Sequence, residues 1–158
     1  MPLARMICLS QTRFPVGHAN DKTMFRGIHD ELSHHYSERH ITGVLMFDWD
    51  HFLQVVEGDR VRLTEAFLAM ARDPRQQNIV LLDFSLVDER LFSRWQMVLR
   101  DDSPETMALI IRHGSTSHWK PELLSPESAL KLVAGMVRLR EHHADQPLRA
   151  AQPVHHAA

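Results

Sequence analysis

Cysteine is nearly absent from this chain: Cys8 is the only one among 158 residues, so no internal disulfide can form and the fold must rest on its core. Long apolar runs are missing too. No stretch approaches the ~18 to 20 residues of a membrane-spanning helix, and no N-terminal apolar segment resembles a secretion signal. A cytoplasmic location is the expectation. Charge of one sign is scarce as well, with a formal net charge of -2, which supports no attraction to nucleic acid or to an anionic membrane. Catalytic signatures are lacking: there is no Gly-rich phosphate loop, no Gly-x-Ser-x-Gly elbow and no paired-carboxylate motif. The expectation is a protein that is not an enzyme.

The twelve histidines pose the metal question. They gather at His34, His35 and His40, at His142 and His143, and at His155 and His156. Neighbouring histidines on a helix point about 100° apart and do not chelate together. With neither Cys-x-x-Cys nor His-Glu-x-x-His present, no metal is expected.

What remains is an ordinary globular composition, 44% apolar and 24% charged, in a chain long enough for one domain with an appendage. Arg5-Met6-Ile7-Cys8-Leu9 reads as a short buried strand, closed by Ser10-Gln11-Thr12 and then Pro15 and Gly17. From Asn20-Asp21, plausible helix caps, Met24, Phe25, Ile28, Leu32 and Tyr36 recur at helical spacing. The β-rich runs 41–47 and 52–56 flank Asp48-Trp49-Asp50-His51 and predict a hairpin that ends at Glu57-Gly58-Asp59. A second helix follows from Val61 to Ala71, stopped by Asp73-Pro74. Strands over 79–84 and 95–99 complete the order βαββαββ, that of a ferredoxin-like α+β sandwich with an extra strand.

Two helices should cover one sheet face. Apolar side chains alternate onto the other face as well, and helical segments around 106–111 and 128–142 would cap it. In the second of these, Ala129, Leu132, Val133, Met136, Val137 and Leu139 form a stripe. The expected division is a domain over 1–102, a C-terminal helical cap over 103–144, and a disordered tail over 145–158. Asp88-Glu89-Arg90 and Asp101-Asp102 read as solvated loops.

Several motifs now fall into one ordered set: Ile41-Thr42-Gly43-Val44-Leu45, Phe52-Leu53-Gln54-Val55-Val56-Glu57-Gly58, Arg72-Asp73-Pro74-Arg75, and Arg90-Leu91-Phe92 followed by Trp95-Gln96-Met97. Over residues 5 to about 100 the chain resembles the BLUF family, blue-light sensors that use flavin. The resemblance implies FAD held between the two helices with its ring against the sheet. It also implies a strand glutamine that bonds both the flavin and a first-strand tyrosine, and a light-driven electron and proton transfer from that tyrosine. Gln54 matches the glutamine, which accounts for an amide in an apolar strand, since a buried amide needs partners. Trp95 and Met97 match the pair that reports the rearrangement. Ser10, Ile28, His35 and Arg75 fall at further cofactor-binding positions.

Three positions depart from the pattern. Cys8 stands where the photoactive tyrosine belongs, Tyr36 where an asparagine bonds the flavin, and Ala69 where a cationic residue meets the cofactor's phosphate. If each lost contact costs ~1 to 3 kcal/mol, the last two weaken binding roughly 30-fold or more. Flavin retention and the photocycle are therefore expected to be impaired or lost, leaving a signalling protein that works through contact with a protein partner or with itself. The cap is the expected contact surface, where Leu132, Met136 and Leu139 are available. The alternative is a working FAD photoreceptor with altered photochemistry, in which Trp49 or Trp95 donates the electron. Read without any family, Cys8 is a small core hydrophobe, Gln54 a core amide bonded to backbone, and Trp95 and Met97 plain core.

Overall fold

The computed structural model describes residues 2–13, 22–114 and 118–145. Strands β1 (Leu3–Thr12), β2 (Thr42–Phe47), β3 (His51–Asp59), β4 (Gln76–Leu86) and β5 (Trp95–Leu99) form one sheet in the order β4-β1-β3-β2-β5. The first four are antiparallel, and β5 joins β2 in parallel. Helices α1 (Lys22–Glu38) and α2 (Arg60–Ala71) follow β1 and β3, and α3 (Pro104–His113) and α4 (Pro126–Asp145) follow β5. The fold is the expected α+β sandwich.

The residue pattern explains the layers. Met6 and Cys8 on β1, Leu45 and Phe47 on β2 and Val56 on β3 point to one face, where they bury with Ile28 and Tyr36 of α1 and Leu63, Ala66 and Met70 of α2. The alternate set Ile7, Leu9, Val44, Met46, Leu53, Val55 and Val98 points to the other face and meets Ile110 of α3 and Ala129, Leu132, Val133, Met136 and Val137 of α4. The period of two along each strand thus produces two cores. Every such aliphatic side chain contributes about 1.5–3 kcal/mol by leaving water, so the cap is part of the core. This alters one expectation: Leu132 and Met136 are 0% and 4% exposed, spent on the sheet and withdrawn from the surface.

Local chemistry sets the ends. Asp59 caps α2, its side chain accepting from the Val61 and Arg62 amides, and Ser103 caps α3 by accepting from Thr106. β3 runs through Glu57-Gly58, past the expected turn, because Arg5 opposite pairs with Glu57. β1 and β4 are also longer than their apolar runs, pairing through polar Gln11–Gln77 and Thr12–Gln76. Gly43 has φ 143°, and a Cβ there would sit 2.1 Å from the Val55 carbonyl oxygen, so only glycine fits. The proposed Asn20-Asp21 cap, and the tail beyond Asp145, lie outside the described residues.

Candidate functional site

A cleft opens between α1 and α2 over the middle of the sheet. Its walls are Ile28, Leu32, His35 and Tyr36 from α1, and Ala66, Ala69 and Met70 from α2. Leu45, Phe52 and Gln54 form the floor, and Glu31, Asp73, Arg75 and Gln76 stand at the mouth. The volume is about 170 Å³.

Strand register builds the floor. Cys8, Gln54, Leu45 and Met97 are aligned across β1, β3, β2 and β5, so their side chains form one transverse row on the helical face. Gln54 is 4% exposed. Its Oε1 accepts from the Tyr36 hydroxyl at 3.2 Å, and its Nε2 faces Met70 Sδ at 3.3 Å, a weak acceptor. The amide is therefore bonded by a side chain from α1 and not by backbone. Tyr36, the chain's one tyrosine, also meets Trp95 edge-on, with ring centroids 5.7 Å apart. Burial first, then Cys8 and Asp73 nearby, push its phenol well above the ordinary range. Burial raises the Cys8 thiol to about 12, so it stays protonated and is no nucleophile at neutral pH.

The mouth is a cluster of charge. Arg75 donates to both Asp73 oxygens and, across to α1, to both oxygens of Glu31 at 2.9 and 3.0 Å. The guanidinium is thus held by two carboxylates, and its hydrogen bonds to Asp73 raise its pKa further. Burial would raise Asp73, but bonds from Arg75 hold it below the usual carboxylate range. Behind the mouth, Ser10 donates to Gln76 Oε1 at 2.6 Å. Burial, then the charge of Arg39, lowers His35, whose Nδ1 lies 3.0 Å from Arg39 Nη1.

Of the sequence-selected residues, Ile28, His35, Tyr36, Gln54 and Arg75 line the cleft. Ser10 reaches it through Gln76, Trp95 packs on Tyr36, and Met97 and Cys8 lie in the floor's core cluster without lining the space. Trp95 Nε1 is buried and has no hydrogen-bond partner among the described residues. Glu31 and Met70 were not singled out by the sequence; their helical spacing toward His35 and Ala66 was the available signal. No group of three or more histidines, cysteines or carboxylates suited to a metal occurs among the described residues.

A buried hub holds the loop that leads into β5. Glu57, fully buried, takes Arg5 Nε at 2.9 Å and the Leu91 and Phe92 amides at 2.9 and 3.2 Å. Arg90 bonds the Glu57 and His40 carbonyls and Thr42 Oγ1. The loop into β5 is thereby tied to β2 and β3. On the opposite face, Arg140 of α4 donates to the Met97 carbonyl, and Trp119 Nε1 donates to Asp48.

A ferredoxin-like sheet with a fifth strand, two helices bracketing a cleft over a strand glutamine, and a tryptophan and methionine on the last strand define the architecture of a BLUF-type sensory domain. Residues 3–98 match the profile of BLUF, sensors of blue-light using FAD, and the chain belongs to that family. It is 36% identical over 61 residues to the blue light- and temperature-regulated antirepressor BluF of Escherichia coli (strain K12). That match covers 39% of this chain and only 15% of the relative. Among solved structures, BlsA in its photo-activated state aligns over 85% of this chain and 94% of its own, at TM-score 0.70 and 23% identity. The BLUF protein BlrB in its dark state aligns over 87% and 97%, at 0.63 and 25%. No helix among the described residues is long and apolar enough to cross a membrane.

Proposed function

We propose that this protein is a BLUF-family signalling protein that acts through protein contacts, and that its flavin binding and photocycle are impaired. The Tyr36–Gln54 bond carries this reading: the amide that the family uses toward its flavin is already bonded by a phenol of the chain itself. Three further observations support it. The cleft, about 170 Å³, lies below the ~300 to 1,000 Å³ of drug-sized ligand pockets. Arg75 is bound to Glu31 and Asp73, so two carboxylates and one guanidinium leave the mouth with an excess negative charge that repels a diphosphate. Cys8 holds a neutral thiol and offers no phenol. The residues present thus do not fit FAD.

The partner would meet the outer side of the cap, where Ile111 and Leu123 are 60% and 50% exposed, because the inner stripe is taken by the sheet. Nothing in this reading requires catalysis, and the site offers neither an activated nucleophile nor a metal centre.

A second reading keeps the flavin. The Tyr36 hydroxyl occupies the phenol–glutamine bond that the family takes from its first strand, and Trp95 stands beside it, so an aromatic donor is close to Gln54 without a tyrosine at position 8. Trp49, the other candidate donor, packs on Phe47 and does not line the cleft.

Colour separates the two. Purified full-length protein, incubated with excess FAD and desalted, is expected to be colourless. A yellow preparation whose visible band shifts red under blue light would establish the second reading and end the first.

A further inference from the structure

A second and larger cavity, about 600 Å³, lies along the open edge of β5. Its floor is apolar: Phe25 of α1, Trp49 of the hairpin, Val98 and Leu99 of β5, Met136 and Leu139 of α4. Its rim is basic. Arg26 and His29 enter from α1, Arg140 and His143 from α4.

The one carboxylate on this rim, Asp101, is engaged: it accepts from Thr106 Oγ1 at 2.6 Å and from the Ser103 amide at 3.1 Å. His29 Nδ1 faces Asp30 at 3.1 Å, and Arg140 gives one N–H to the Met97 carbonyl. Arg26 is exposed and has no ion pair or hydrogen bond among the described residues. Two helices otherwise separate in sequence thus bring two guanidinium groups, Arg26 and Arg140, over one apolar floor against the single carboxylate of Asp101.

A small hydrated anion would fit the rim but gain nothing from the floor, which penalises polar groups. A neutral apolar molecule would leave the guanidinium groups unused. Guanidinium recognises carboxylate through paired, charge-assisted bonds, and the space falls within the small-ligand range of ~300 to 1,000 Å³. We propose that this cavity is a binding site for a small amphipathic carboxylate, its apolar body on Phe25, Val98 and Met136 and its charge against Arg26 and Arg140. The cavity shares no lining residue with the cleft between α1 and α2.

The position gives such a ligand leverage. The Trp95 ring contacts Tyr36 on one side and His29 on the other, each with centroids 5.7 Å apart, so one tryptophan joins the two cavities. Arg140 ties the same ligand site to Met97. Occupancy would draw α1 and α4 together across the edge of β5.

The test is displacement of anilinonaphthalene sulfonate from the full chain by dodecanoate, followed by fluorescence. Saturable, single-site competition is expected, weakened about tenfold or more by Arg26→Glu, which removes one charge-assisted contact, and by Leu99→Glu, which puts a like charge in the floor. Arg62→Glu, an exposed charge reversal on α2 outside the cavity, should leave the affinity unchanged. Equal affinity in Arg26→Glu, equally effective competition by inorganic phosphate, absence of saturable binding, or loss of binding in Arg62→Glu would each overturn the assignment.

Discussion

The Tyr36 hydroxyl donates to Gln54 Oε1 at 3.2 Å, joining the end of α1 to the central strand inside the cleft. Both residues are 4% exposed. A buried amide oxygen that loses its donor bears the full cost of desolvation, about 1–3 kcal/mol. Tyr36→Phe should therefore lower stability by that amount, or about 2–4 °C in Tm per kcal/mol for a chain of this size. Thermal melts of the two proteins check it, and an unchanged midpoint would show that the bond contributes nothing.

Restoring the family's residues should restore affinity. The double change Cys8→Tyr with Tyr36→Asn frees Gln54, returns a phenol to β1 and replaces a bulky ring by a small amide. One regained contact of ~1 to 3 kcal/mol corresponds to about fivefold or more in FAD affinity. Fluorescence titration with FAD reads this directly, and equal affinities for parent and variant would count against the proposed cause.

Glu57 is a structural carboxylate. Its partner Arg5 has a side chain only 13% exposed, so Glu57→Gln leaves a nearly buried cation without its counter-ion, a change that costs about 3–5 kcal/mol when such pairs are broken. The Leu91 and Phe92 amides also lose a charged acceptor. Chemical denaturation should report the loss, together with altered Trp95 emission as the loop before β5 loosens. A variant as stable as the parent would remove Glu57 from its role.

The tie between hairpin and cap should respond to pH. The hydrogen bond with Asp48 raises His51 above its ordinary 6.5, so its contribution is complete below 6.5 and fades as pH rises through the higher folded value. Burial would raise Asp48, but bonds from His51 and Trp119 hold it below its ordinary 3.8, so its contribution is complete above 3.8 and fades as pH falls through the lower folded value. The window of full effect lies between those two ordinary values. His51→Ala should be destabilising at mildly acid pH and approach the parent at alkaline pH; a gap in Tm that widens with pH would contradict the assignment.

Much of the fold was legible because it rests on short-range rhythm. Period-two strands around Val44, Gln54 and Val98, and the helical spacing from Met24 to Tyr36, are dictated by which side chains must leave water. The family motifs are likewise local strings. Strand lengths were less legible, since β3 continues through Glu57-Gly58 only because Arg5 lies opposite.

The side-chain partnerships were not legible. Arg75 finds Glu31 across 44 positions of sequence, and nothing in either residue's neighbourhood announces the pair. The α4 stripe was plain as a pattern, but the pattern is the same whether it meets a partner or the sheet of its own chain.

By itself, then, the order of residues determined the layers, the strand that carries Gln54, and the lack of a first-strand phenol, because hydrophobic periodicity and residue identity act locally. Only the tertiary structure decided that the chain's one tyrosine bonds that glutamine, that the mouth cation is already paired, and that the cap's apolar face is spent. Each of these depends on distances between residues remote in sequence, which close packing alone sets.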